Sequence, residues 1–340
     1  MEWIFNDSGF GAENETSLVP QLVSLPLRDV IMKVNGTIIL LLALAGIPNN
    51  ILNILTFSKL DINFTIKISF VFLSSVDLCS SVNFAFLAMI LLDMSRVVEL
   101  PVDLQNAQRL AVPVMFSLSA LGSWDTACIS LERCCCVVFP TKVRNIFTRK
   151  ITIALLAGML LVQTTTLTIN MASIQLIVNN TLMNERPKLL VSSSIVDTIF
   201  VSLILGVSTI PSLICFATIT ASTIFLAVSL KKRNKWLNTM HVLPDEVIDK
   251  NKKLVRTVVA MATIHIACSL PAVFLILTFL TCHHLNPLDK KNEHLSHVLA
   301  TVVIIFQALS GMVNILIYFQ TNAQFHQSLQ NLLCLASANT

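Results

Sequence analysis

The chain has little charge and few polar aromatic residues: 12% of its 340 residues are charged, and it contains one tyrosine and three tryptophans. Average usage in soluble globular domains is about 25% charged residues. Because 54% of the residues are hydrophobic and the mean hydropathy is +0.76, the chain cannot cover an ordinary soluble surface. Its composition requires a lipid bilayer as the solvent.

The sequence also lacks the residue patterns of common enzymes. No Ser-His-Asp set, His-Glu-x-x-His motif or carboxylate pair is arranged for catalysis, so we expect no enzyme and no catalytic residue. Residues 1–33 have no basic segment followed by a short apolar core and a cleavage site, so we expect no cleaved signal peptide. No internal repeat is visible, which disfavours transporters built from inverted repeats.

Nine cysteines are present, but their positions predict no intrachain disulfide. Most fall within apolar stretches or at the expected inner edge, where thiols stay reduced, and only Cys282 is expected to face outward. Cys334 is a candidate palmitoylation site. Cys134, Cys135 and Cys136 cannot converge on one metal ion, because neighbouring helical residues point about 100° apart.

Seven apolar stretches are long enough to cross a bilayer, which requires about 20 mostly apolar residues. They lie near residues 34–57, 67–92, 108–139, 151–177, 195–230, 254–281 and 295–319. The sequence therefore predicts an all-α membrane protein with a seven-transmembrane helix bundle. After the last stretch, Phe325, Leu329, Leu332 and Leu333 follow helical spacing, which predicts a short C-terminal amphipathic helix on the inner membrane surface.

The charge distribution predicts an extracellular N-terminus. Most of the 23 Lys and Arg residues then lie on the inner side, as the positive-inside rule requires. Three Asn-x-Ser/Thr sequons, at Asn6, Asn14 and Asn179, fall on the outer side and are candidate glycosylation sites. We expect a multi-pass plasma-membrane protein. It would consist of an extracellular segment, a transmembrane domain and a short cytoplasmic tail, at residues 1–33, 34–319 and 320–340.

The most specific pattern stands at the inner end of the third stretch. Glu132 and Arg133 are adjacent, followed by Cys134 and then Pro140. An arginine at the centre of a membrane helix costs about 2.5–3.5 kcal/mol, so Arg133 requires a partner or a function. It either snorkels to the interface as a marker of topology or forms a switch with Glu132.

Further motifs follow in order along the chain, at 46–50 (GIPNN), 73–77 (LSSVD), Pro211, 268–271 (CSLP), 314–318 (NILIY) and Phe325. Together with the Glu-Arg-Cys triplet they resemble rhodopsin-like (class A) G-protein-coupled receptors, and most closely invertebrate orphan receptors of chemosensory or peptide type. The resemblance covers residues 36–335. It implies a receptor that transmits binding of an extracellular ligand to a heterotrimeric G protein.

The resemblance also implies site residues. Those for coupling and switching are Glu132, Arg133, Cys134, Pro140, Asn314 and Tyr318. Helix bends are implied at Pro211 and Pro271. A buried polar cluster would contain Asn50, Asp77, Ser310 and Asn314. An acid at that depth must pair, protonate or bind a cation, so the cluster is either a Na⁺ site or a structural hydrogen-bond network.

The implied ligand pocket contains Met115, Ser119, Ser269 and Gln307. Met115 and Ser119 stand where amine receptors carry an Asp, which disfavours monoamines. The seventh stretch has no lysine for a retinal Schiff base. The outer face is mildly acidic, which suits either a cationic peptide or simply a solvated glycosylated surface. We expect a peptide or a small chemosensory ligand.

The sequence departs from the family at several positions. Gln108 replaces the cysteine that would staple the third helix to an outer loop, and residues 173–195 contain no partner for it. Ser269 replaces a tryptophan, and Ile219 stands where the fifth helix would carry a tyrosine. Asn251 replaces the acid that would lock Arg133 at rest, which predicts appreciable basal signalling.

Other ionisable residues leave alternatives open. His265 and Asp125 lie in apolar stretches without an evident partner. His265 is either a satisfied interior histidine or a proton-sensitive element, and the pattern gives Asp125 no role. Histidines near the predicted outer mouth show no convergent zinc pattern, so we predict no metal site. The alternative class is a transporter or channel subunit, which would need a polar path at mid-membrane depth.

Overall fold

The computed structural model describes residues 24–94, 104–138, 147–183, 210–240, 245–281, 293–321 and 323–338. Every regular element within these ranges is an α-helix. In chain order the helices are α1 Leu25–Lys59, α2 Phe64–Met94, α3 Leu104–Val138, α4 Arg149–Met183, α5 Ile210–Met240, α6 Asp245–Thr281, α7 Glu293–Thr321 and α8 Ala323–Ala338.

Helices α1 to α7 are each long and apolar enough to cross a membrane. The shortest, α7, has 29 residues, and at about 1.5 Å per residue it exceeds the roughly 30 Å hydrocarbon core. A helix suits this solvent because it satisfies its backbone polar groups internally. The predicted seven-helix bundle is confirmed, and so is the short helix after it.

Helix α3 lies at the centre of the bundle and contacts α2, α4, α5 and α6. The contacts between α1 and α2, α1 and α7, and α6 and α7 complete the arrangement. Residues on α3 therefore face neighbours on several sides, which places Ser119, Gly122, Asp125 and Arg133 inside the protein.

The first helix begins earlier than its apolar stretch. Helix α1 starts at Leu25, with Pro26 in its first turn, where the missing N–H of proline costs no helical hydrogen bond. The added turns mix apolar residues with the charged Arg28, Asp29 and Lys33, and Arg28 and Asp29 form an ion pair at 2.9 Å. At the other end, the Lys67 ammonium donates to the Leu60 carbonyl at 3.2 Å, which satisfies a backbone acceptor just beyond the helix.

An aromatic cluster fixes the inner end of the bundle. Phe57 lies against Phe70, Tyr318 and Phe325, with ring centroids 4.8–5.0 Å apart. Aromatic pairs in such geometries contribute about 0.5–1.5 kcal/mol each beyond their buried area. Since Phe325 is fully buried and Leu329 is 6% exposed, α8 is anchored to α1 and α7 through the face that its spacing predicted.

The outward faces carry the side chains that a soluble protein would bury. Leu161 on α4 and Phe274 on α6 are 69% and 70% exposed, and lipid tails would cover such surfaces at no cost. The threonines of α4 are compatible with that setting. Thr164, Thr165 and Thr168 are exposed, and each donates its hydroxyl to a carbonyl one turn earlier, so these three donors are satisfied on the lipid-facing surface.

Helices α1 and α2 approach closely at Gly46. A Cβ atom at this position would lie 2.6 Å from the Ser81 hydroxyl oxygen, so a larger side chain would force the Ser81 side chain to move. The Gly46 carbonyl also accepts a hydrogen bond from Asn50 at 3.0 Å. Gly46 therefore holds α1 against the helix that carries Asp77.

Candidate functional site

A cavity lies inside the bundle between α2, α3, α6 and α7. Its polar lining residues are Asp77, Ser80, Ser81, Ser119, Thr126, His265, Ser269, Gln307, Ser310 and Asn314. The cavity volume is about 60 Å³, counted as space for the centres of water molecules. One water needs about 10–15 Å³ on that measure, so the cavity holds several waters or a small ligand.

Asp77 supplies the carboxylate of the cavity. Asn314 donates to one of its oxygens at 2.8 Å, and this bond joins α2 to α7. Gly311 lies three residues before Asn314 on α7. A Cβ atom at this position would lie 3.5 Å from the Asp77 carboxyl carbon and from its other oxygen, so the absence of a side chain there leaves the carboxylate open to the cavity. The resulting site presents a carboxylate with one neutral donor.

The predicted polar cluster is only partly brought together. Asp77, Ser310 and Asn314 line the same cavity. Asn50 is fully buried but is bonded within α1, where it donates to Gly46 at 3.0 Å and accepts from Asn53 at 3.4 Å. Its amide therefore shapes the helix that packs against α2 and does not line the cavity.

Three of the four residues assigned to the pocket line this cavity, namely Ser119, Ser269 and Gln307. Met115 does not. It is 7% exposed and belongs to an apolar cluster that includes Met32 and Ile304, because its side chain fills the space between helices at a different level. Ser80 and Ser81 also line the cavity, although neither was predicted as a site residue. They lie three and four residues after Asp77, and this helical spacing could have placed them beside it.

His265 has a partner that the sequence did not reveal. The Ser123 hydroxyl lies 3.3 Å from the histidine Nε2, and which atom donates depends on the tautomer. The pair joins α3 to α6, and His265 also lines the cavity. No partner of His265 was evident from the sequence, because Ser123 lies on another helix, 142 positions away in the chain.

Asp125 is the least compensated group in the described residues. Its side chain is fully buried, and neither carboxylate oxygen has a hydrogen-bond partner there. It does not belong to the cavity lining. A buried charge without a partner is costly, so Asp125 lowers the stability of the folded protein. Its carboxyl group does not contact the cavity and gains no compensation from it.

The inner end of α3 holds a buried ion pair. The Arg133 guanidinium lies 3.0 Å from a Glu132 carboxylate oxygen, and the Thr65 hydroxyl on α2 donates to the same oxygen at 3.4 Å. Arg133 and Glu132 are 7% and 6% exposed, and Arg133 Nε has no partner among the described residues. The guanidinium is thus folded inward with unused donor capacity.

Two contacts tie the inner part of α6 to α7. The Thr257 hydroxyl donates to the Thr321 hydroxyl at 2.7 Å, and the Tyr318 hydroxyl donates to the Met261 sulfur at 3.3 Å. The tyrosine is 1% exposed. Pro271 lies within the same helix α6, further from the inner end. Neither contact was predictable from the sequence, because the partners Thr257, Thr321 and Met261 belong to no recognisable motif.

Several residues singled out in the sequence lie outside the described residues or have no described side chain. Asn6, Asn14, Pro140 and Cys282 fall outside the described residues, and Asn179 lies within α4 without a described side chain. The same holds for Asn251 in α6 and Cys334 in α8. Pro211 is the second residue of α5 as described. The cysteines with described side chains are free thiols, including Cys134, Cys135 and Cys136.

No protein-family model matches the chain, and no curated protein matches it. The fold and the span lengths define a multi-pass membrane protein with seven transmembrane helices. The described part of the chain contains no group of three or more His, Cys, Asp or Glu side chains that could hold a metal ion.

Proposed function

We propose that the protein is a G-protein-coupled receptor of the rhodopsin-like type, located in the plasma membrane with its N-terminus outside. The observation that carries this proposal is the buried Glu132–Arg133 pair at the inner end of the central helix. The same helix lines the polar cavity through Ser119, Gly122 and Thr126. Helix α3 therefore connects the cavity with the buried Arg133 guanidinium.

The burial of Arg133 supports a switch rather than a marker of topology. A snorkelling arginine would keep its guanidinium in the aqueous interface, whereas Arg133 is 7% exposed. Removing one partner of a buried pair costs about 3–5 kcal/mol because the other charge is left buried and unpaired. Glu132 therefore compensates the Arg133 guanidinium as long as the inner end stays closed. Presentation of Arg133 to a G protein would require that end to open.

The mechanism is a shift between two arrangements of the bundle. In the resting arrangement, α6 is held to α7 by the Thr257–Thr321 and Tyr318–Met261 contacts. Helix α6 contributes Met261, His265 and Ser269 to the cavity wall. A ligand that binds more tightly to the open arrangement can therefore favour the movement of α6 away from α7. The resting ties are uncharged, which is consistent with measurable basal signalling.

The test of the receptor proposal is nucleotide exchange on a heterotrimeric G protein reconstituted with the purified protein. We expect exchange above that of empty vesicles without ligand. Arg133→Lys should keep the positive charge and the fold but lose the planar set of N–H donors that only a guanidinium offers. The rate of nucleotide exchange should then fall by about tenfold, which corresponds to the loss of one hydrogen bond to a charged group.

The matched control is Lys59→Ala, which removes a basic residue at the exposed inner end of α1. It should leave exchange unchanged. Thermal unfolding midpoints of both variants confirm that they fold. If Arg133→Lys melts like the native protein and supports native exchange, the assigned role of Arg133 is wrong.

We further propose that Asp77 binds Na⁺ at rest. A carboxylate that faces a cavity with one neutral donor is undercompensated in a low-dielectric interior, and the neighbouring hydroxyl and amide oxygens suit a hard cation. Replacing tetraethylammonium chloride with NaCl at constant ionic strength should raise the unfolding midpoint. Asp77→Asn should abolish the increase, whereas a purely structural network would show no sodium-specific increase in either protein.

A transporter or channel subunit is the second candidate. The observation in its favour is the presence of two acids inside an apolar bundle, the half-buried Asp77 and the fully buried Asp125. A substrate-flux measurement in sealed vesicles separates the classes. Cation or solute flux that Asp77→Asn abolishes, combined with no nucleotide exchange, would replace the receptor proposal.

A further inference from the structure

The cavity extends from the Asp77 carboxylate to a second buried acceptor on α7. Gln307 lines the same cavity as Asp77, and its side-chain oxygen is buried without a hydrogen-bond partner among the described residues. Ser269, a small side chain, borders the cavity between α6 and α7 and does not fill it. The two acceptors therefore belong to one continuous space.

The separation of the two acceptors follows from helix geometry. A Cβ atom at Gly311 would touch the Asp77 carboxylate at 3.5 Å, so Asp77 faces α7 at the level of Gly311. Gln307 stands four residues earlier on that helix, a rise of about 6 Å. The Asp77 carboxylate and the Gln307 amide oxygen therefore lie at levels about one helical turn apart.

The charge of the lining selects the kind of occupant. Among the described lining residues, Asp77 is the only carboxylate, and none is a Lys or Arg. The carboxylate accepts one hydrogen bond, from the neutral amide of Asn314. An anion in that setting favours a cation, and the unpaired Gln307 oxygen favours a second donor. A metal ion bound at Asp77 would leave the Gln307 oxygen one turn away unsatisfied.

We infer that the cavity binds a small organic cation, namely a protonated amine with a second N–H or O–H donor about one helical turn from the ammonium. Asp77 holds the ammonium and Gln307 accepts from the second donor. The volume of about 60 Å³ corresponds to about four to six water-sized bodies, which sets the size of the group that enters. The inference deepens the proposed receptor function, on which it rests for the identity of this cavity as the ligand site.

This inference differs from the expectation that amines are disfavoured. That expectation concerned Met115 and Ser119 on α3, where no acid stands. The structure offers a carboxylate from α2 to the same cavity that Ser119 lines. A cationic group can therefore be recognised from a different wall.

The test uses the purified full-length protein in detergent without a G protein and measures the unfolding midpoint against the concentration of three probes that share a three-carbon chain. The probes are 3-aminopropan-1-ol, propylammonium and propane-1,3-diol, each in a sodium-free background of tetraethylammonium chloride, a cation without an N–H or O–H donor. We expect a saturable increase with 3-aminopropan-1-ol, a weaker one with propylammonium and none with the uncharged diol. Sodium should compete with the amines, because both require the Asp77 carboxylate.

Variants locate the site. Asp77→Asn should weaken 3-aminopropan-1-ol binding by about tenfold or more, the effect of losing a hydrogen bond to a charged group. Asp125→Asn should not, because that buried acid lies outside the cavity lining. Gly311→Ala adds a methyl group against the carboxylate and should also weaken binding. Gly158→Ala is its control, since a Cβ there meets nothing within 4 Å.

The outcomes decide the inference separately from the receptor proposal. Equal midpoint increases with the diol and the amine would overturn it, as would a sodium effect without any amine effect. Where Asp77→Asn fails to fold, unweakened binding in Gly311→Ala overturns it and weakened binding supports it. Charge-selective binding that these variants remove would support it even if no G protein responds, a result that would count against the receptor proposal alone.

Discussion

Three acids in the bundle are compensated to different degrees. Glu132 has both Arg133 and Thr65. Asp77 has Asn314 and an open cavity. Asp125 has no hydrogen-bond partner within the described residues. Because an uncompensated buried polar group costs free energy, the three residues differ in what their removal does: the first two hold helices together, whereas the third opposes folding.

Asp125→Val should therefore stabilise the protein. Replacing a buried group that has no partner with an apolar side chain removes an unsatisfied-group penalty of about 1–3 kcal/mol. We expect the thermal unfolding midpoint of the purified protein to rise. Asp61→Val, at an exposed position, is the control, and surface changes of that kind fall within about 0.5 kcal/mol. A lower midpoint for Asp125→Val would show that the acid makes a contact essential to the fold.

At the scale of single residues, the sequence predicted the acids and missed their surroundings. Asp77 and Asn314 stood out because charged and amide groups are rare in apolar spans, and the structure places them 2.8 Å apart. The Ser123–His265 contact and the open Gln307 oxygen were not predictable. They depend on which faces of α3, α6 and α7 meet, and neither hydroxyl nor amide has a fixed partner in sequence.

Among the helices, α6 is the element whose resting position depends on small contacts. It is tied to α7 by the hydroxyl pair Thr257–Thr321 and by Tyr318 and Met261. A neutral hydrogen bond contributes about 0.5–1.5 kcal/mol. Loss of one such bond is enough to change the populations of two arrangements that differ by a few kcal/mol.

Thr257→Val should raise ligand-independent nucleotide exchange by about two- to tenfold, the factor that corresponds to one lost hydrogen bond. Valine keeps the shape of threonine and removes the donor. Thr321→Val should act similarly, and the double variant should add little to either single change, because both remove the same bond.

Thr263→Val is the matched control for the α6 tie. Thr263 is exposed on α6, and its hydroxyl donates only to the Val259 carbonyl of its own helix at 2.7 Å. We expect its exchange rate to equal that of the native protein. Strictly additive effects of Thr257→Val and Thr321→Val would contradict the role assigned to the pair.

Helix α8 shows what an element-level pattern can establish. The spacing of Phe325 and Leu329 predicted a helix with one apolar face, and both side chains are buried at the inner aromatic cluster. The start of α1 at Leu25 was not predicted, because Arg28, Asp29 and Lys33 interrupt the apolar residues of the first turns. The predicted apolar stretch therefore began only after them.

For the whole molecule, an odd number of spans has a direct consequence. Seven transmembrane helices place the two termini on opposite sides of the membrane, and the concentration of basic residues in alternate loops predicts the N-terminus outside. The buried share of the apolar window is 17–33% in α1, α4, α5, α6 and α7, but 44% in α2 and 56% in the central α3. Most of the apolar surface of the outer helices therefore faces lipid.

Epitope tags at each end should show this topology. In intact cells that express the protein, antibody should reach an N-terminal tag without permeabilisation and a C-terminal tag only after it. Loss of Asn6 and Asn14 by substitution with Gln should increase gel mobility if both sequons are glycosylated on the outer side. Staining of both tags in intact cells would contradict the count of seven spans.

The sequence alone determined the solvent, the number of helices and the positions of the charged groups that must be accommodated, because these depend on hydropathy and residue type along the chain. The tertiary structure decided which of those groups meet. Helix rotation and close approach bring Asp77, Gln307 and Ser269 to one cavity, exclude Met115 from it and leave Asp125 without a partner. Residue spacing within one helix fixes a face, but only packing between helices fixes what that face contacts.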